Sequence, residues 1–285
     1  MTRATKNEFP SHSFASRLPS TMLQVDGRRL RHSTMFWVML GCALMIPILV
    51  LTMTTGFGGE GGAMFTNAWQ IIGSDSAELG AMMSGMMGAM GGGTQAGAAA
   101  ADPAAGAGMM SAMMNINLMY FMAAIFICLF VAEDFQSGYA KNLFTVRARK
   151  TDYVTSKIII SWIAGALFLL AFFVGGVIGG KAVGLPFTLG SAGVPGLVMC
   201  LLSKLFLMGF MVSLFVLMSM IGRGRSWLSI LLALFAGMLL FMMIPMLTPL
   251  DAGIAQAGLC LAGSVCFAPA FGAVGNLLLK QSNLA

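Results

Sequence analysis

The chain has 285 residues, of which 58% are hydrophobic and only 9% charged, and its formal net charge is +6. A mean hydropathy of +0.87 excludes a soluble globular domain, which needs far more charge to cover its surface. It also changes what the basic balance means: the cations sit in short segments beside apolar runs, which is a membrane-topology pattern rather than a nucleic-acid footprint.

The tail 1–33 carries a short segment, Ser20 to Arg31, with Met22, Leu23 and Leu30 set against Arg28, Arg29 and Arg31. It predicts a basic amphipathic helix lying on the inner leaflet, limited in length by Pro19. The remaining chain, 34–285, is predicted to form one membrane domain. Its first apolar run, 34–54, contains Pro47 and reads as a slightly bent span. Between 56 and 108 lies an insertion rich in Gly, Ala and Met. Its Gly91–Gly93 and Ala98–Ala101 stretches read as weakly ordered, and Met82, Met86 and Met90 fall at helical spacing, fit to lie on the outer membrane surface. Further apolar runs cover 109–131, 158–180, 194–221, 227–247 and 258–279. Each can cross about 30 Å of hydrocarbon at about 1.5 Å per residue. The expected fold is all-α: a polytopic integral membrane protein with six transmembrane helices.

Charge sets the orientation. Arg3, Lys6, Arg17, Arg28, Arg29 and Arg31 precede the first run. Lys141, Arg147, Arg149, Lys150 and Lys157 lie between the second and third, Arg223 and Arg225 between the fourth and fifth, and Lys280 after the sixth. If the helices alternate, all of these share one side, while Glu60, Asp75, Glu78, Asp102 and Asp251 share the other. The positive-inside rule then places both termini in the cytoplasm.

Cys42, Cys128, Cys200, Cys260 and Cys266 all fall within apolar runs and none forms a CxxC pair. They read as packing residues, not as a disulfide framework or a zinc site. Both histidines, His12 and His32, precede the first run. No predicted span carries a histidine, a carboxylate pair or a metal-ligand cluster, which argues against an intramembrane enzyme.

The most informative stretch runs from Glu133 through Asp134, Phe135, Gly138, Tyr139, Lys141 and Leu143 to Arg149 and Lys157. Phe135, Tyr139 and Leu143 are spaced by four and so would share one helical face. A short amphipathic helix at the end of a span suits docking into a groove on a partner; an ordinary surface turn fits the same spacing. This stretch resembles the loop of type-2 ABC transporter permeases, the six-helix membrane subunits of many bacterial exporters. Glu133 stands at the family's acidic position, Gly138-Tyr139-Ala140-Lys141 at its glycine element with Tyr139 in place of the usual Thr, and Leu143 at its apolar position. Arg149, Tyr153 and Lys157 fit the later part.

The resemblance implies that residues 132–157 hold a cytoplasmic coupling helix contacting a separate ABC ATPase. Glu133, Asp134, Phe135, Gly138, Tyr139, Lys141, Leu143 and Arg149 would transmit its movement, and none would be catalytic. ATP and magnesium would belong to that partner, with no cofactor or metal in this chain. A second permease chain, identical or different, would flank the substrate path in a bacterial plasma membrane, and the substrate would be an amphipathic, peptide or drug-like molecule. The alternatives are a non-transporting membrane sensor or immunity protein on the same scaffold, and a Met-rich copper-linked membrane protein.

Other motifs fail on chemistry or place. Gly175 to Ala182 mimics a phosphate-binding GxxxxGK loop but ends in Ala where Ser or Thr should hold magnesium. Its paired GxxxG spacings, Gly175/Gly179 and Gly176/Gly180, read instead as close helix packing. Ser191 lies in a protease-like Gly-Ser-Ala-Gly motif, yet both histidines are across the bilayer from it and no base is at hand. The methionines at 82–90 and 109–114 offer soft sulfur to Cu(I), but a flexible apolar cover is the simpler reading. Lys204 lies inside a predicted span, about three turns from its outer end, and is expected to snorkel to the interface rather than to contact substrate.

Overall fold

The computed structural model describes residues 18–56, 65, 67–76, 79–80, 84, 115–145, 150–189, 193–222, 225–241 and 243–281. The methionine clusters at 82–90 and 109–114, the Ser191 motif, Arg147, Arg149 and most of the insertion lie outside them. Among the described residues all regular structure is helical. The elements are α1 (Leu18–His32), α2 (Thr34–Gly56), a single tight turn (Ala68–Ile71), α3 (Leu118–Gln136), α4 (Tyr139–Thr145), α5 (Lys150–Val183), α6 (Gly193–Ile221), α7 (Ser226–Phe241), α8 (Met243–Leu247) and α9 (Ile254–Gln281).

Among the described residues five helices are long and apolar enough to cross a membrane: α2, α3, α5, α6 and α9. The run expected as a fifth crossing, 227–247, is described as helix over Ser226–Phe241 and again over Met243–Leu247, with residue 242 outside the described residues. Within 132–157, the stretch expected to hold the coupling loop, the described residues are largely helical. Helix α3 runs on to Gln136, and α5 opens at Lys150, about two turns before the apolar run begins.

The helices alternate in direction, so the bundle has two distinct ends. One gathers α1, the α3–α4 turn, the start of α5 and the ends of α6 and α9. There a Cβ on Gly275 of α9 would meet Met220 of α6 and Val154 of α5. The other end gathers the tight turn, the loop after α5 and the α8–α9 connection. Backbone bonds stitch it: Ala68 N–H donates to Pro186 O (3.1 Å), Ile116 N–H to Ile71 O (2.9 Å) and Leu250 N–H to Ser74 O (3.0 Å). The described chain therefore starts and finishes at one end.

Small residues set the tightest helix crossing. A Cβ on Gly175 of α5 would lie 2.2 Å from the Leu44 carbonyl oxygen and 2.7 Å from the Pro47 ring of α2. One on Gly179 would lie 3.0 Å from Ile48 Cα. Gly176 and Gly180 face the tight turn instead, against Ile71 and Ala68. The two GxxxG spacings thus pack two different neighbours. The apparent phosphate loop lies inside the continuous helix α5, so its backbone N–H groups, committed along the helix, cannot cradle a phosphate.

The packed interior is made by α3, α5 and α6 around Phe126, Phe168, Phe172, Phe215 and Met208, all buried. Phe36 of α2 reaches Phe126 and Phe168, with ring centroids 5.9 and 5.8 Å apart. Trp37, Leu49 and Met53 on α2, Trp227 and Phe235 on α7, and Leu259 and Val265 on α9 stay exposed. Apolar side chains facing outward are what a lipid solvent demands. The five cysteines are unpaired thiols, with Cys128, Cys200 and Cys260 buried as packing residues.

Candidate functional site: a buried charge cluster behind the α3–α4 turn

Four charged side chains meet at the end of the bundle where the chain begins. They come from three segments far apart in sequence. On α1, Met22, Asp26 and Leu30 are spaced by four and all are buried, so an acid lies in the middle of the helix's apolar face. On α3 the buried stripe Ile127, Phe130, Val131 ends in Asp134, which is 0% exposed. On α5, Tyr153 and Lys157 fall one turn apart on the buried face, and Lys157 is also 0% exposed.

The Lys157 ammonium donates to Asp26 Oδ1 at 2.8 Å and to Asp134 Oδ2 at 2.7 Å. It also stands 4.3 Å from the Phe130 ring centroid, where the aromatic face attracts a cation. Asp134 Oδ2 accepts the Tyr153 hydroxyl at 2.9 Å, and its Oδ1 accepts the Arg29 guanidinium. Asp26 Oδ2 accepts the Ser156 hydroxyl at 2.7 Å. Two acids and two bases leave no net charge, and both oxygens of each acid are occupied. Desolvating ions costs several kcal/mol each unless geometry and hydrogen bonds compensate; here they do.

The cluster reaches the turn through Arg29. Its guanidinium lies 4.8 Å from the Tyr139 ring centroid on α4 and 5.8 Å from Phe130 on α3. Burial pulls the Arg29 pKa down, but Asp134, Asp26 and Glu133 outweigh it, so the cation is held above its ordinary range. Tyr139 moves up, chiefly by burial and then by Asp26, with Arg29 pulling the other way. Both groups keep one protonation state through the physiological range.

The turn departs from the expected single helical face. Gly138 has φ +72°, a left-handed conformation that side-chain-bearing residues rarely adopt. It breaks the helix after Gln136, so Phe135 belongs to α3 while Tyr139 and Leu143 belong to α4. Phe135, Leu143 and Phe144 pack back onto the chain's own core, with Phe144 edge-on to Tyr153 at 5.5 Å. What the turn offers outward is polar: Glu133, Gln136, Ser137 and Asn142 are exposed. The expected site residues therefore divide in two. Glu133 faces out, whereas Asp134 is enclosed and acts on the turn from behind. Lys141 lies in α4, and Arg149 is outside the described residues.

Asp26 escaped the sequence reading, and Arg29 entered it only as one cation among many. The available signal was register: a charge in phase with a helix's buried face must have a partner. Lys204 gives the same lesson. It does not snorkel; it is 1% exposed, on the buried face that includes Leu197, Cys200, Leu207, Met208 and Met211. Depth along a helix says nothing about which way a side chain faces.

No curated protein and no solved structure matches the chain. The family described as ABC-2 family transporter protein matches residues 76–240, more than half of the chain, from the insertion through α7. With its lipid-compatible helices, the chain belongs to the ABC-2 transporter family and is a multi-pass membrane permease.

Proposed function

We propose that this permease is the membrane subunit of an exporter driven by a separate ABC ATPase, and that the α3–α4 turn receives the ATP-driven movement. ABC-2 permeases in general work with such an ATPase. The observation that carries the reading is the charge cluster: it ties the turn at once to α1 through Arg29 and Asp26 and to α5 through Lys157. A push on the exposed face of Glu133, Gln136 and Ser137 would then be shared by three segments rather than absorbed by one loop. Gly138 lets the turn reverse sharply enough to present that face.

In this reading the positively charged end of the bundle lies in the cytoplasm, as the excess of basic residues there supports. ATP and magnesium stay in the partner, and a second permease chain completes the path. The substrate is an amphipathic molecule moved between leaflets or outward.

The test is co-purification with the candidate ATPase followed by ATP turnover in reconstituted vesicles. Glu133→Gln and Gly138→Val are expected to keep the complex assembled while turnover falls to that of the detached ATPase. A chain that is stable alone and captures no ATPase sinks the reading. A cysteine placed at Ser137 and labelled only after the vesicles are opened checks the orientation.

A further inference from the structure

Lys204 lies at the twelfth position of α6, about 16 Å along the helix from its start. Two of its three N–H donors are accounted for: Nζ donates to Asn117 Oδ1 and to Thr248 Oγ1, each at 2.9 Å. Both acceptors are neutral. Among the described residues no carboxylate lies within ion-pair distance of it. Asp251, at the same end of the bundle, is engaged elsewhere, accepting both the backbone N–H and the hydroxyl of Ser76.

The acceptor residue carries a second unmatched donor. Asn117 is 0% exposed, and among the described residues its Nδ2 has no hydrogen-bond partner. With Lys204 protonated its ammonium has three donors and no acceptor, which keeps the Asn117 oxygen on its side. A buried lysine amine and a buried amide N–H unpaired among the described residues thus sit on adjoining groups. Both ask for the same thing, an acceptor oxygen with negative charge.

The walls are fixed. Tyr120 donates its hydroxyl to the Lys204 carbonyl at 2.9 Å, and Thr248 is anchored by donating to Ile244 O at 2.9 Å. Residues 67–76 and 248–253 cover the site from the end of the bundle. A Cβ on Gly73 would lie 3.6 Å from Cys200 Sγ and 3.8 Å from Thr248 O. The cover is closed by Leu250 N–H on Ser74 O (3.0 Å) and by the Ser76–Asp251 contacts.

We propose that Lys204 and Asn117 form a binding site for the anionic headgroup, carboxylate or phosphate, of an amphiphile, entered when this cover lifts. Its use in transport rests on the permease reading; its occupancy does not. The headgroup would accept from the third Lys204 N–H and from Asn117 Nδ2. Its chain would leave between helices toward the hydrocarbon.

Binding is measured on the purified chain in phosphatidylcholine nanodiscs by native mass spectrometry, with monododecyl phosphate, laurate and dodecyltrimethylammonium as probes. The two anions are expected to bind at least about tenfold more tightly than the cation. Lys204→Met should abolish that preference and Lys204→Arg should keep it. Asn117→Asp supplies an internal counter-ion of equal size, so it should raise thermal stability and expel both anions, and it reads the site even if Lys204→Met fails to fold. Equal binding of all three probes, or anion binding undiminished in Asn117→Asp, overturns the proposal. Replacing part of the phosphatidylcholine with phosphatidylglycerol separates two occupants within the same chemistry. Competition assigns the site to a resident lipid, and its absence to a transported amphiphile; both require the Lys204 site. ATPase capture is scored separately, so a missing ATPase ends the permease reading without touching the binding result.

Discussion

The two ends of this permease each bury a lysine, and the two lysines are treated in opposite ways. Lys157 has two carboxylates, an aromatic face and a net-neutral setting. Lys204 has two neutral oxygens and, among the described residues, no anion. Taking a charge out of water costs the same in principle at either end. A closed set of partners suits a joint that must stay assembled, whereas an open one suits a place where something arrives.

The largest expected effect breaks the first half of that comparison. Lys157→Met leaves Asp26 and Asp134 buried with Arg29 as the one remaining cation, and that one bonded to Asp134 alone. Losing one member of such a buried set costs about 3–5 kcal/mol. Lys204→Met strands no anion among the described residues and should cost far less. Thermal unfolding of both variants in the same detergent checks the ordering, and equal losses would erase the distinction between the ends.

Gly175→Val probes what joins the ends. Its side chain would collide with the Leu44 carbonyl and the Pro47 ring, forcing α2 off α5 at about 1–3 kcal/mol, the usual cost of overpacking. Both ends should loosen together, visible as faster hydrogen exchange at α1 and at 67–76 alike. Loosening at one end alone would show that the ends are mechanically independent.

Arg29→Ala is milder, because Arg29 is partly solvated and Lys157 still holds Asp134. About 1–2 kcal/mol is expected from a lost charge-assisted bond. Cross-linking between α1 and α4 should drop while that between α3 and α5 holds.

The smallest effect is in pH. Burial, then the charge of Asp251, raises Asp75 above its ordinary value of 3.8. An acid whose folded pKa is raised takes up protons on folding. The folded form therefore gains while Asp75 is protonated and loses that gain as pH climbs from about its ordinary value through the raised one. Wild-type thermal stability should fall slightly across that acidic window, and Asp75→Asn should flatten the dependence.

Much of this is legible in the sequence alone. Apolar runs mark α2, α3, α5, α6 and α9 because lipid imposes length and composition directly on each segment. The GxxxG spacings were readable as packing because a missing side chain has the same meaning in any helix pair. Asp134 and Lys157 stood out individually, but their meeting with Asp26, 131 residues before Lys157, is written in no local pattern. The helix break at Gly138 was hidden because the spacing of Phe135, Tyr139 and Leu143 continues across it. Lys204 was misread because its depth was used and its phase was not.

The cluster also has a consequence for how the protein is made. Ribosomes deliver Asp26 and Arg29 first, and their counterparts follow only after Asp134 and then Lys157 have been synthesised. Through more than a hundred residues of growth, α1 has no docked state to adopt. Its seating is a late event in biogenesis, and it certifies that α3 and α5 have both been inserted with the correct ends together.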